Sequence, residues 1–197
     1  FRRAVELHPM YVEAHNHLGR CLTRQGEIEA AIGALRMAIE LKPTYAGPHE
    51  NLGVALARKG QVEEAMEELH IAIDLDPRST QAHTDLGVIL VRQGQVKAGI
   101  EEHQRAIELN PDHAQAHINL GNAFRIRNEF DSASSEYRTA IQLNPRLAAP
   151  HWNLAQTLMD RGNFAEALVY LQHGQEVSLR DRYGRYPWAD RLRECQR

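Results

Sequence analysis

The stretch Ala46-Gly-Pro-His49-Glu-Asn-Leu52-Gly53-Val-Ala-Leu56-Ala-Arg-Lys-Gly60-Gln-Val62-Glu-Glu-Ala65-Met66-Glu-Glu-Leu69-His-Ile-Ala72-Ile-Asp-Leu-Asp-Pro77-Arg-Ser79 reads as two helices with a glycine between them. Val62, Ala65, Met66 and Leu69 fall at helical offsets of 0, 3, 4 and 7, which places them on one face. The next first helix, Ala82–Leu90, puts His83, Leu86, Gly87 and Leu90 at the same offsets. Gly60 stands where a positive φ ends a helix at little steric cost. Pro77 cannot continue the second helix and closes it.

Outward from this stretch the chain repeats itself every 34 residues. Prolines recur at 9, 43, 77, 111 and 145, histidines at 15, 49, 83, 117 and 151, and leucines at 18, 52, 86, 120 and 154. Gly19, Gly53, Gly87 and Gly121 keep the step, with Ala155 in the fifth place. Ala31, Ala65, Gly99, Ala133 and Ala167 form another small-residue column, and Ala4, Ala38, Ala72, Ala106, Ala140 and Gly174 a third. Small residues there let helices approach closely, and a larger side chain would overpack them. Gly26, Gly60, Gly94 and Gly162 separate the paired helices, with Asn128 in the fourth copy. A fixed period of this length is the signature of a stacked repeat architecture.

The pattern of a bulky residue, Leu-Gly, a large apolar residue, Ala, Leu or an aromatic, Ala and Pro resembles the tetratricopeptide repeat. In the quoted copy those places are His49, Leu52-Gly53, Leu56, Ala65, Leu69, Ala72 and Pro77. The resemblance implies an all-α, right-handed superhelical solenoid of antiparallel helix pairs with a C-terminal capping helix. The expected boundaries are 12–45, 46–79, 80–113, 114–147 and 148–181 for five copies. Residues 1–11 read as the second-helix remnant of a preceding copy and 182–197 as the cap. Phe1-Arg-Arg-Ala-Val-Glu-Leu7 lacks the features of a signal peptide and reads as part of a helix in a longer protein. In the cap, Pro187 suits a first helical position, and Trp188, Leu192 and Cys195 share one face. The Arg185-Tyr-Pro-Trp188 stretch is similar to the ends of repeat arrays attached to some bacterial serine/threonine kinases.

Composition narrows the function classes. The 197 residues are 43% apolar and 25% charged, with a formal net charge of −3, so no global field favours nucleic acid. The arginines at 180, 182, 185, 191, 193 and 197 outnumber Asp181, Asp190 and Glu194; a solvated cap face is the first reading, and a small nucleic-acid footprint with Tyr183, Tyr186 and Trp188 the second. No apolar stretch reaches the roughly 18–20 residues that span a bilayer. Two cysteines, Cys21 and Cys195, are too few for a disulfide framework, so the expected compartment is reducing and cytoplasmic. The five recurrent histidines sit one per copy on helices whose axes lie about 8–10 Å apart, too far to share one metal. They read as replacements for a core aromatic. Neither a metal, a cofactor nor a catalytic motif is expected, and the chain reads as no enzyme.

What remains is binding. The resemblance implies that the first helix of each copy lines a concave groove. The column before the core leucine holds His17, Asn51, Asp85, Asn119 and Asn153. The asparagines resemble the ladder lining the repeat groove of O-linked N-acetylglucosamine transferases, and a carboxamide pairs with both N–H and C=O of a peptide backbone. The preceding column holds Asn16, Glu50, Thr84, Ile118 and Trp152. Arg20, Arg24, Arg58 and Arg92 load the earlier copies; Asn122, Ile126, Trp152 and Met159 join Ile118 in the later ones. An unidentified protein or peptide partner with an acidic stretch beside an apolar anchor is expected, and Trp152 is the expected hot spot, with the core aromatic place vacated by His151 as its alternative. Two alternatives stand beside this: an interaction arm of a larger enzyme, such as a kinase or glycosyltransferase, and self-assembly through an open end at Phe1. Gly99 with His103, and Asn128 with Ser134, mark the third and fourth copies as the expected weak points.

Overall fold

The computed structural model describes His8, residues 10–180 and residues 188–195. Pro9, the remnant through Leu7, and Arg182, Tyr183, Arg185, Tyr186, Pro187 and Arg197 of the cap lie outside the described residues, as does the proposed open end at Phe1. All regular structure among the described residues is helical. The chain divides into two compact units, Phe1–Leu90 and Val91–Arg197.

The first unit contains α1 (Val12–Gln25), α2 (Ile28–Leu41), α3 (Ala46–Lys59), α4 (Val62–Leu75) and α5 (Thr80–Arg92) up to Leu90. Helix α1 packs on α2 and α3 on α4; α3 also touches both α2 and α1. Its buried side chains include Leu22, Leu35, Leu52, Leu56 and Leu69. The second unit contains α6 (Val96–Leu109), α7 (Ala114–Ile126), α8 (Phe130–Leu143), α9 (Ala148–Asp160), α10 (Phe164–Arg180) and the capping helix α11 (Trp188–Cys195). There α7 packs on α6, α8 and α9, α9 also on α8 and α10, and α11 on α10. Tyr137, Leu154, Leu158, Leu171 and Trp188 form the core of this end. The Trp188 ring meets Trp152 edge to face, with centroids 5.1 Å apart.

Local chemistry explains the stops. At Gly26, φ is 85°; its N–H reaches Thr23 O, and the Glu27 N–H reaches back to Leu22 O. This pair of bonds satisfies the orphan carbonyls at a helix end. Asn128 does the same at φ 61°, with Glu129 N–H on Phe124 O. Between copies, the N–H groups of Tyr45, Ser79, His113 and Leu147 each close a turn on the carbonyl three residues earlier. Proline stands at the second place of each turn, where its fixed φ fits.

The small-residue column is a contact. A Cβ on Gly53 would lie 2.7 Å from Leu69 Cγ and 3.0 Å from the Ala65 carbonyl oxygen. One on Gly121 would lie 2.6 Å from the Tyr137 ring. The recurrent histidines are buried as expected, and His49 and His117 show how both ring nitrogens are held. Nδ1 of His49 pairs with Glu68 at 2.7 Å and Nε2 with the Pro43 carbonyl at 3.0 Å. His117 repeats the arrangement with Glu136 at 2.7 Å and Pro111 at 3.0 Å. At His117 the hydrogen bond that the ring donates to Glu136 raises its pKa against the effect of burial.

Candidate functional site

In the first unit the first helices α1 and α3, with the start of α5, frame a cleft of about 550 Å³. Asn16, His17 and Arg20 line it from α1, Glu50, Asn51 and Arg58 from α3, and Gln81 and Asp85 from α5. Asn51 donates its Nδ2 to Asn16 Oδ1 at 2.8 Å, which leaves its own carbonyl oxygen available as an acceptor. Arg58 fixes one guanidinium nitrogen on the Thr23 carbonyl at 2.7 Å, and Arg20 stands 3.4 Å from the His17 ring. Glu50 accepts from the Ser79 hydroxyl at 2.8 Å, and Asp85 from the Gln81 amide at 3.0 Å. Burial pushes the Glu50 carboxyl above its ordinary range and the Asp85 carboxyl to about 6. These hydrogen bonds pull the other way without prevailing.

Six residues expected from the sequence, His17, Asn51, Asp85, Glu50, Arg20 and Arg58, therefore share one cleft, while Arg24 is exposed on the last turn of α1 outside its lining. Tyr45, Gly47, Val54 and Gln81 complete the lining and were not among those expected. A signal for Gln81 exists: Gln81 and Gln115 are 34 apart, and each donates to the side chain four residues on, Asp85 and Asn119.

In the second unit the asparagines are tied differently. Asn122 Oδ1 accepts from Tyr137 Oη at 2.7 Å and from Asn153 Nδ2 at 2.9 Å. Asn119 accepts from Gln115 at 2.9 Å. Ile126 is 55% exposed, and Arg92 is exposed as well. Three expectations need correction. Ile118 is 3% exposed and Met159 9%, so both are core side chains rather than open groove positions. Trp152 is half-buried against the core and engaged edge-on by Trp188, so its ring stabilises the cap end instead of standing open as an anchor. The physical reason is crowding. Met159 lies within the core around Tyr137, Leu158 and Leu171, and Trp152 packs against that core.

A second cavity of about 590 Å³ lies in this unit, lined by Ile141, His151, Tyr170, His173 and neighbours. Tyr170 occupies the place that Glu68 and Glu136 hold in their copies, so His151 lacks the carboxylate and both its ring nitrogens are buried without a protein hydrogen bond. Burial lowers its pKa. No group of His, Cys, Asp and Glu among the described residues is placed to hold a metal ion, and no described helix is long and apolar enough to cross a membrane.

Comparison with known proteins agrees with this architecture. A TPR repeat model matches residues 19–60, 89–125 and 121–162, and tetratricopeptide repeat models match 50–106 and 153–174. The chain is similar to the crystal structure of MamA, with 25% identity over 83% of this chain and 95% of that one, at a TM-score of 0.71. It superposes over its whole length on 38% of a chain in the Cut9–Hcn1 hetero-tetramer of the APC/C, with 20% identity and a TM-score of 0.89. YrrB, described as a TPR protein with an unusual peptide-binding site, matches 90% of this chain and 91% of its own, with 23% identity and a TM-score of 0.64. No curated protein matches the sequence. With helix pairs at a 34-residue period, glycine contacts within the pairs and family models matching more than half its length, the chain belongs to the tetratricopeptide repeat family.

Proposed function

We propose that this chain is a protein-interaction scaffold that binds an extended peptide or partner segment along its first helices. The observation that carries the reading is the cleft of the first unit, where Asn51, Asn16 and Gln81 offer carboxamides beside four charged side chains. An extended backbone presents alternating donors and acceptors, which carboxamides match without demanding a particular sequence. Repeat solenoids bind ligands in this manner, and the peptide-binding site ascribed to YrrB is consistent with it. The role is one of holding, with no chemical step assigned to any residue.

Selection of peptides from a random library on the immobilised protein tests the reading. Selected peptides are expected to lose at least tenfold in affinity, about 1.4 kcal/mol, on Asn51→Ala combined with Arg58→Ala. They should keep it on Ile71→Ala, whose side chain is exposed on the second helix α4. Circular dichroism establishes that all variants are equally helical. Peptides that bind the cleft variant as tightly as the wild type would remove the assignment.

A further inference from the structure

The charges of the first-unit cleft are not paired with one another. Glu50 is held by the Ser79 hydroxyl and Asp85 by the Gln81 amide, both neutral. Arg58 donates one guanidinium nitrogen to a backbone carbonyl, and Arg20 stands against the His17 ring. Two carboxylates and two guanidinium groups therefore line one cavity with no ion pair among them.

The balance between the signs is uneven. Asp85 acts on Glu50 through space, as does Asp76, and both make the Glu50 charge harder to carry. Arg20 offsets this for Glu50 and Arg58 for Asp85, yet burial outweighs each of them. Glu50 and Asp85 are half-buried with only neutral hydrogen-bond donors, whereas Arg20 and Arg58 are exposed to water. The carboxylates are thus the undercompensated groups, and a cation entering the cleft supplies what burial has withdrawn. A second anion would add to the repulsion instead. This departs from the sequence-based expectation of an acidic partner, which placed Glu50 and Asp85 in the groove but gave the arginines the greater weight.

We infer that the cleft takes a basic side chain of the bound peptide, a lysine ammonium or arginine guanidinium seated between Glu50 and Asp85. A carboxylate next to it in the peptide is received by Arg20 or by the remaining donors of Arg58. The ligand class is therefore an extended segment with neighbouring opposite charges. This rests on the peptide-groove reading above.

The probe is acetyl-Gly-Ser-Lys-Glu-Ser-Gly-amide, compared with versions carrying Gln or Glu in place of Lys. Each is titrated into the full chain near neutral pH while the side-chain amide signals of Asn51 and Gln81 are followed by NMR. The lysine peptide is expected to shift both signals saturably and to bind about tenfold tighter than the glutamine version, in line with a charge-assisted contact. Glu50→Gln with Asp85→Asn keeps the acceptor oxygens and should erase that preference, so that the lysine and glutamine peptides bind this variant alike. Equal binding of the lysine and glutamine peptides, with Asn51 and Gln81 still shifting, overturns the inference and leaves the groove reading standing. Tightest binding by the glutamate version overturns it in favour of the arginines. No shift with any probe also overturns it, while the groove reading is decided separately by the library peptides.

Discussion

Asp85 and His103 are both buried ionisable side chains, and they should move stability with pH in opposite directions. In the native state the Asp85 carboxyl is raised to about 6 from 3.8 by burial. At neutral pH the fold carries the cost of that desolvated charge, and the cost disappears as pH falls through about 6 toward 4. Asp85→Asn keeps an acceptor for Gln81 and removes the charge. It is expected to raise the Tm at pH 7 by about 2–4 °C, with the gain vanishing near pH 4 in thermal scans. His103 is 1% exposed with Nδ1 unpartnered, and burial lowers its pKa from 6.5 to about 4. The native ring stays neutral while the unfolded chain takes up a proton. Its contribution is therefore intact above about pH 6.5 and is lost as pH falls toward 4. Leu35, Leu69, Tyr137 and Leu171 hold the same place in the other copies. His103→Leu should therefore raise the Tm and flatten its decline between pH 6.5 and 4. An unchanged acid slope in that variant would rule out His103 as its source.

Within the helices, two glycines separate backbone propensity from packing. Gly33 is exposed in α2, and a Cβ there meets nothing within 4 Å. Gly33→Ala should stabilise by about 0.5–1 kcal/mol through propensity alone. Gly53→Ala has the same propensity gain but drives a methyl against Leu69 and the Ala65 carbonyl, which as backbone does not yield cheaply. It should destabilise by about 1–3 kcal/mol, and urea titration of the pair reads both signs directly. The contrast shows what the sequence made legible. Gly53 belongs to a 34-residue column and Gly33 to none, so the period alone separated a packing glycine from an idle one. Helix pairing, the Gly and Asn stops and the buried histidines were legible for the same reason. The histidine partners were overlooked, although Glu68, Glu102 and Glu136 recur 34 apart. Ile118 and Met159 were misplaced because a column position does not tell which side chain of a column turns into the packing. Cleft residues such as Tyr45 and Val54 lie off the recurring columns, and only the packed helices bring them in.

At the scale of the whole chain, each helix pair is buried by its neighbours, so stability is close to a sum of local and interface contributions rather than one indivisible quantity. Both His103 and Ser134 place a buried, unpartnered polar atom in the second unit, a cost that falls on the third and fourth copies. Different parts of the array therefore have reason to open under different conditions. The chain's two tryptophans, Trp152 and Trp188, are the pair that meets edge to face beneath the capping helix. Their emission is consequently a spectroscopic label for the core shared by α9, α10 and α11, while far-UV circular dichroism averages over every helix. On adding urea, the emission change should come at lower denaturant than the loss of ellipticity, because α11 is only eight residues long and rests mainly on α10. Coincident curves would show that the array melts as a unit. Separate curves would mean that a stability read from fluorescence alone belongs to the cap, and that a ligand at Asn51 can bind without shifting it.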